Sequence, residues 1–332
     1  MKRICVLPGD GIGPEVIESA VRVLQSVTDE LEFKYAHIGL GEFERTGYPI
    51  TDETLQQMKG ADSCLFGAVT SSTDNEYKSP VLRFRKELDL FANIRPIRSL
   101  LPLLGKPYMD LIIVRENTEG MYTQDEAVDL DGVTTFRRVS RHACERIVRF
   151  AFDRSRSWKK RRICCVHKAN VLRKSDGLFL EIFRDISKDF HGDIETSEQL
   201  VDSAAMSLVT DPSRFEVIVT LNLYGDILSD VAAGMVGGLG FAPSGNIGTA
   251  HSVFEPCHGS APDISGKGIA NPTAAILASA MMLRHLGMVR ESDSIQKAVQ
   301  SAYSSANLTM DIGGTKNSEA FTDSVIDVIM EE

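Results

Sequence analysis

The chain has 332 residues with 36 lysines and arginines against 46 aspartates and glutamates, a formal net charge of −10, and it is 43% hydrophobic and 25% charged. That length holds one large or two ordinary domains, the composition supports a real core, and the acidity argues against a general nucleic-acid binder. An anionic small molecule stays open, because a local arginine cluster overrides the global field.

The six cysteines, Cys5, Cys64, Cys144, Cys164, Cys165 and Cys257, form no CxxC pair. They read as reduced thiols of a cytoplasmic protein, not as a disulfide frame or a zinc site. No apolar run reaches ~18 residues, so no membrane span is expected, and the N-terminal apolar run is too short for a signal peptide.

In chain order, Ile4 to Leu7 is a short buried-strand candidate. Pro8-Gly9-Asp10-Gly11-Ile12-Gly13-Pro14-Glu15 then turns into an amphipathic helix with Val16, Ala20, Val23 and Leu24 on one face. The spacing is G-x-G-x-G and not the G-x-G-x-x-G dinucleotide fingerprint, so a tight βα turn explains it as well as a nucleotide does. Phe33 to Ala36 and Ser63 to Gly67 read as strands around a helix from Asp52 to Met58, the alternation of an α/β sheet domain.

Arg85 and Arg95 bracket an apolar segment, and Arg115 ends the apolar run Leu111 to Val114. Salt bridges to Glu87, Glu116 or Glu119 would account for one of them. Three arginines beside strand ends or loops point to a polyanionic ligand, since a guanidinium grips carboxylates in bidentate fashion. A helix from Ala143 to Asp153 precedes the basic run Arg154 to Arg162, which reads as a solvated loop. The strand Ile163 to Val166 delivers Lys168, either an ordinary strand-end lysine or a general base with a shifted pKa.

Asp176 to Phe190 is a helix, and Asp202 stands alone among apolar residues. The strand Phe215 to Leu221 leads into Asn222-Leu223-Tyr224-Gly225-Asp226-Ile227-Leu228-Ser229-Asp230. On a helix, Asp226 and Asp230 share one face at i and i+4. Two acids that close are either a solvated face or oxygen ligands for a hard cation such as Mg²⁺ or Mn²⁺. Gly237 to Gly240 and Pro243 to Asn246 read as a glycine-rich connection and Phe254 to Asp263 as a dense loop. A long apolar helix runs from Ala274 to Leu286, followed by a polar helix, a loop and a terminal helix.

Seven stretches taken together resemble one family: PGDGIGPE (8–15), LRFRKELDLFANIRP (82–96), VRENTEGMY (114–122), HKANVL (167–172), NLYGDILSD (222–230), GGLGFAPSGNIG (237–248) and FEPCHGSAPDISGKGIANP (254–272). The chain is similar along essentially its whole length to the β-decarboxylating dehydrogenases, which include the isocitrate, 3-isopropylmalate, homoisocitrate, tartrate and D-malate enzymes. The resemblance implies an α/β fold other than the usual Rossmann fold, with two domains and a large mixed sheet. Residues 1–96 and 247–332 would form a discontinuous cofactor-binding domain, and 97–246 a small domain with the dimer interface.

The resemblance also implies roles. Tyr122 and Lys168 would be catalytic, and Arg85, Arg95 and Arg115 would hold the malate carboxylates. Asp202, Asp226 and Asp230 would bind Mg²⁺ or Mn²⁺. Ile12, His258, Gly259, Ser260, Ala261, Asp263 and Asn271 would line the cofactor, with Asn170 beside the nicotinamide. Lys168, Asn170 and Asp202 would reach the site from a second copy, so a homodimer with shared sites is the expected unit, with higher oligomers left open.

The implied reaction is oxidative decarboxylation of a (2R,3S)-3-substituted malate. Hydride leaves C2, Lys168 accepts the hydroxyl proton, and Tyr122 protonates C3 after the β-carboxylate departs. Asp263 stands where NADP-dependent relatives carry lysine; a carboxylate accepts bonds from ribose hydroxyls and repels a 2′-phosphate, so NAD is expected. The third substituent should be read by Ser79, Val81 and Leu82, with Tyr77 and Lys78 available to a distal carboxylate. Homoisocitrate is slightly preferred over 3-isopropylmalate, ahead of isocitrate and D-malate, and the setting stays open between leucine, lysine and coenzyme biosynthesis. A silent regulatory subunit or a plain ligand-binding module would not need Tyr122, Lys168 and all three acids.

Overall fold

The computed structural model describes residues 1–72, 76–101 and 107–331. The chain divides into two compact units, Met1–Leu88 with Gly237–Glu332, and Asp89–Val236.

The first unit begins with β1 (Lys2–Gly9), α1 (Gly13–Val27), β2 (Leu31–Tyr35), α2 (Leu40–Thr46), α3 (Asp52–Gly60), β3 (Ser63–Ala68) and α4 (Pro80–Glu87). Ile4, Cys5, Val6 and Leu7 are buried in succession, as in a strand covered on both faces. α1 turns Val16, Ile17, Ala20, Val23 and Leu24 inward at helical spacing. Thr51 caps α3 by accepting from Thr54 N, and Ser79 caps α4 by accepting from Leu82 N.

The second unit holds β4 (Ala92–Arg98), β5 (Asp110–Glu116), the hairpin β6 (Gly120–Val128) and β7 (Val133–Arg138), α5 (Arg141–Ser157), β8 (Arg162–His167), α6 (Ser175–Ser187), β9 (Glu195–Leu200), α7 (Val201–Thr210), β10 (Val217–Thr220) and α8 (Asn222–Val236). The chain then returns to the first unit with β11 (Pro243–Ile247), β12 (Ser252–Pro256), α9 (Thr273–His285), α10 (Val289–Ser304) and α11 (Ser318–Met330).

In the first unit the strand order is β2-β1-β3-β12-β11, parallel except for β11 against β12. In the second it is β4-β5-β10-β8-β9, parallel except for β4 against β5. Both are therefore mixed. Among the described residues, no helix is long and apolar enough to cross a membrane.

The unit boundaries fall at 88/89 and 236/237, not at 96/97 and 246/247. β4 runs antiparallel to β5 over seven residue pairs, from Ala92 opposite Glu116 to Arg98 opposite Asp110, which draws residues 89–96 into the second unit. β11 pairs with β12 in the first unit, which draws 237–246 there.

Two segments expected as connection and loop are strands instead. Pro243 to Ile247 and Ser252 to Pro256 are completely buried. Pro, Gly, Ser and Asn disguise β11, but its polar side chains are internally satisfied: Asn246 Nδ2 donates to Glu255 Oε1 at 2.8 Å. Gly245 lies so close to Phe254 that a Cβ would sit 2.8 Å from the ring.

Candidate active site

β10 lies buried between β5 and β8 and ends at Thr220, where the chain turns into α8. Residues Asn222, Asp226, Ser229 and Asp230 of that helix meet two arginines from the neighbouring strands. In the β4–β5 ladder Arg115 stands opposite Asn93, and Arg95 opposite Ile113. Arg115 is only 1% exposed, so its donors need partners. Its Nε and Nη2 donate to Asn222 Oδ1 at 3.0 and 2.7 Å, and its Nη1 donates to Asp226.

The Arg115 guanidinium also stacks over the Tyr122 ring, 5.0 Å from its centre. Arg95 donates from Nε to Asn93 Oδ1 at 2.8 Å and from Nη1 to Ser229 Oγ at 2.6 Å. Its Nη2 lies 3.2 Å from Asp226 Oδ1, and its Nη1 3.4 Å from Asp230 Oδ1. The Tyr122 hydroxyl donates to Asp226 Oδ2. Gly225 makes this proximity possible: a Cβ there would stand 2.6 Å from Arg115 Cβ.

Asp226 thus touches Arg95, Arg115 and Tyr122 together, and the Asp226–Asp230 pair is not an idle solvated face. The two side chains remain 34% and 56% exposed, open to a ligand. Burial pushes the Asp230 carboxyl up, against the pull of Arg95, and the charge of Asp226 adds to the rise. Two carboxylates one helical turn apart, each able to offer oxygen, fit a hard divalent cation. Among the described residues no three His, Cys, Asp or Glu side chains of this one chain group around a common metal position.

The third acid, Asp202, lies in the first turn of α7 and binds Lys168 Nζ; that contact holds its carboxyl below the usual range. Lys168 itself follows β8, with its backbone N–H donating to Asp176 Oδ2 at 2.7 Å. Asn170 is exposed in the turn beyond. The structure therefore pairs Lys168 with Asp202, and Tyr122 with Asp226.

In the first unit, Arg85 is buried and its Nη2 donates to Glu255 Oε1 at 3.0 Å, while its Nε has no partner among the described residues. Ser79 caps α4, whose first turn carries the half-buried Val81 and Leu82. Tyr77 packs edge-on against Phe43 at 5.4 Å, its hydroxyl pushed up to about 12 by burial. Lys78 is exposed.

The glycine turn meets the 258–263 loop directly. Ile12 N donates to Ser260 O at 2.8 Å, Thr70 Oγ1 donates to Ser260 Oγ at 2.8 Å, and a Cβ on Gly11 would lie 2.0 Å from Ser260 O. That contact requires Gly11, while Gly9 and Gly13 press against the Ala68 and Pro8 backbone, where a Cβ would lie 1.8 Å from Ala68 O and 2.1 Å from Pro8 O respectively. Ala261 holds a left-handed φ of 38°. His258 Nδ1 lies 2.9 Å from Gly259 O, its Nε2 is buried without a partner among the described residues, and burial pushes the ring pKa down.

Gly259 and Asp263 are exposed. Asn271 Oδ1 accepts from Thr273 N and its Nδ2 donates to Asp311, both at 3.0 Å. An unpaired imidazole nitrogen and an open carboxylate suit the bases and hydroxyls of a nucleoside. Three cations of the basic run 154–162 pair locally: Arg156 with Asp193 at 2.5 Å, Lys160 with Asp110 at 2.9 Å and Arg162 with Glu216 at 3.4 Å.

The amides and hydroxyls that orient the arginines, Asn93, Asn222, Asn246 and Ser229, were not singled out from sequence. All four lie inside the family-matching stretches 82–96, 222–230 and 237–248, which is the signal the sequence offers for them.

Residues 3–329 match the family described as isocitrate/isopropylmalate dehydrogenase. The chain is 47% identical over 330 residues to an isocitrate/homoisocitrate dehydrogenase of Thermus thermophilus, covering 98% of both chains. It is 44% identical over 338 residues to a 3-isopropylmalate/3-methylmalate dehydrogenase of Methanocaldococcus jannaschii, covering 100% of both. Its structure resembles that of an isocitrate dehydrogenase from Methylococcus capsulatus, with a TM-score of 0.95, 38% identity and 99% of each chain covered. The chain belongs to the isocitrate/isopropylmalate dehydrogenase family and is a β-decarboxylating dehydrogenase acting on a CH–OH group.

Proposed function

We propose that the chain oxidises and decarboxylates a (2R,3S)-3-substituted malate with NAD⁺ and Mg²⁺ or Mn²⁺, with homoisocitrate slightly preferred over 3-isopropylmalate. The observation that carries this reading is the contact of Asp226 with Arg95, Arg115 and Tyr122. Cation ligands, carboxylate-binding guanidinia and a proton-bearing phenol then stand within one hydrogen bond of each other. Asp226 and Asp230, with Asp202 from a second copy, would hold the metal, which when bound polarises the substrate's C2 oxygen and stabilises negative charge as CO₂ leaves.

Arg95 and Arg115 hold substrate carboxylates, already oriented by Asn93, Ser229 and Asn222, and Arg85 is the third arginine of the set. Lys168 accepts the C2 hydroxyl proton as hydride passes to NAD⁺. Tyr122 gives a proton to C3 after decarboxylation. Ile12 and the residues His258, Gly259, Ser260, Ala261, Asp263 and Asn271 receive the adenosine half, with Asn170 of a second copy beside the nicotinamide. Asp263 selects NAD.

The homodimer is supported by apolar side chains left exposed on the second unit: Leu130, Val133 and Phe136 on the hairpin, Met206 and Val209 on α7, and Ile227 on α8. The free state of all six cysteines supports a cytoplasmic setting.

The apolar Val81 and Leu82 favour the second reading, 3-isopropylmalate, over isocitrate and D-malate. Steady-state kcat/KM for homoisocitrate, 3-isopropylmalate, isocitrate and D-malate, with Mg²⁺ and NAD⁺, tests the order. Homoisocitrate is expected first with 3-isopropylmalate close behind. An isocitrate preference above about tenfold, roughly 1.4 kcal/mol, would reject this view of the 77–82 segment. No metal-dependent NADH formation on any of the four would reject the enzyme in favour of a silent subunit.

A further inference from the structure

Asp176 has no part in the chemistry above, yet it is completely buried. It lies in the first turn of α6, and three segments that carry site residues converge on its carboxylate. Lys168 N donates to Oδ2 at 2.7 Å, the Tyr224 hydroxyl donates to Oδ2 at 3.0 Å, and Arg137 Nη1 donates to Oδ1 at 2.5 Å. Ser175 Oγ adds a longer bond at 3.5 Å. The Arg137 guanidinium also lies 5.3 Å from the centre of the Tyr224 ring, closing the triangle.

Each donor belongs to a different part of the site. Lys168 follows β8. Tyr224 stands two residues before Asp226 on α8. Arg137 lies on β7, whose partner strand β6 carries Tyr122. A carboxylate without water must have its lone pairs filled by fixed donors, so those donors are fixed in return.

We infer that Asp176 is a positioning residue that sets the Lys168 turn, the start of α8 and the Tyr122 hairpin relative to one another. This rests on the roles proposed above for Lys168, Tyr122 and Asp226. On that reading Lys168 serves the site of a second copy while Asp226 and Asp230 serve their own. The Asp176 carboxylate then joins parts of two active sites within one subunit.

Asp176→Asn tests the inference in the full-length dimer. The amide keeps the size but turns an N–H₂ toward an N–H or O–H donor, so one arm of the anchor is lost. kcat per NADH-binding site, counted by fluorescence titration, should fall roughly 10²-fold, while KM for the best of the four malates moves less than about threefold. Tyr224→Phe removes one arm alone and should give an intermediate, KM-neutral loss.

An Asp176→Asn enzyme with kcat within about threefold of wild type overturns the inference. If Asp176→Asn binds no NADH, Tyr224→Phe decides: a KM-neutral fall in kcat supports positioning, and an unchanged kcat refutes it. Lys168→Met separates this inference from the function it rests on. Full activity in Lys168→Met would sink the proposed chemistry, whereas an inactive Lys168→Met beside an active Asp176→Asn would sink only the role of Asp176.

Discussion

Replacing Gly225 by alanine sets two effects of opposite sign against each other. Gly225 is inside α8, where an alanine ordinarily stabilises a helix by about 0.5–1 kcal/mol. Here the new Cβ would lie 2.6, 2.7 and 3.2 Å from Cβ, Cγ and Cδ of Arg115. Arg115 is buried on β5 and cannot swing into solvent. Either α8 moves off the strand or the guanidinium leaves Asn222 and Asp226. Overpacking costs about 1–3 kcal/mol, and a displaced charged hydrogen bond about 1.5–3 kcal/mol.

The clash outweighs the propensity, so with that gain subtracted the net stability change is a loss of roughly 0.5–2.5 kcal/mol, read as a Tm lowered by roughly 1–10 °C. The larger effect falls on substrate: on the role proposed for Arg115, kcat/KM should drop by about 10- to 100-fold, because the guanidinium is moved from where it would hold a carboxylate. Thermal melts and steady-state kinetics on 3-isopropylmalate and homoisocitrate check both. A variant with a raised Tm and an unchanged KM would refute the argument, since the missing Cβ would then be an accident of the helix.

Other outcomes follow from the same contacts. Asp263→Lys should shift the kcat/KM preference from NAD toward NADP; an unchanged ratio contradicts the carboxylate's role in cofactor choice. Glu116 accepts from Thr118 N, Thr118 Oγ1 and Glu119 N, yet burial outweighs those bonds and raises its carboxyl above the usual range. A raised carboxyl contributes stability that is complete below its unfolded value of about 4.3 and lost as pH rises through the folded value. Denaturant stability followed from about pH 4 to 7 should therefore contain a downward component that Glu116→Gln lacks, and parallel profiles would contradict the sign.

What could be read from sequence follows what is buried. β1, β3 and β8 are continuous apolar runs because sheet and helices cover both faces, and α1 shows its inward stripe at helical spacing. The β6–β7 hairpin was not legible, since most of its side chains are exposed on both faces and no alternation survives. β9, with the sequence ETSEQL, is an edge strand without an apolar residue before Leu200. β11 is hidden by breaker residues, and Asn246 is satisfied from the paired strand β12, by Glu255 and the Val253 carbonyl, a partnership that only the fold reveals.

The same logic holds in the site. Arg115 ending an apolar run announces a buried guanidinium. Asn222, which orients it, reads from sequence as nothing more than a helix start. Likewise Asp176 reads as a first-turn acid of α6, and only the fold reveals that Lys168, Tyr224 and Arg137 all point their donors at it. The Asp226–Asp230 spacing suggested a cation site, but the pairing of Asp202 with Lys168 depends on how β8 and α7 pack.

The most direct test of the account mixes two inactive proteins. On the proposed roles, Asp226→Asn removes a metal acid from its own site, and Lys168→Met removes a base that a second copy would lend. After subunit exchange, each heterodimer should carry one intact site, and NADH production should return at roughly half the wild-type rate per heterodimer. A mixture that stays as inactive as its parents, with exchange verified by native mass spectrometry, would contradict the shared active site and the chemistry built on it.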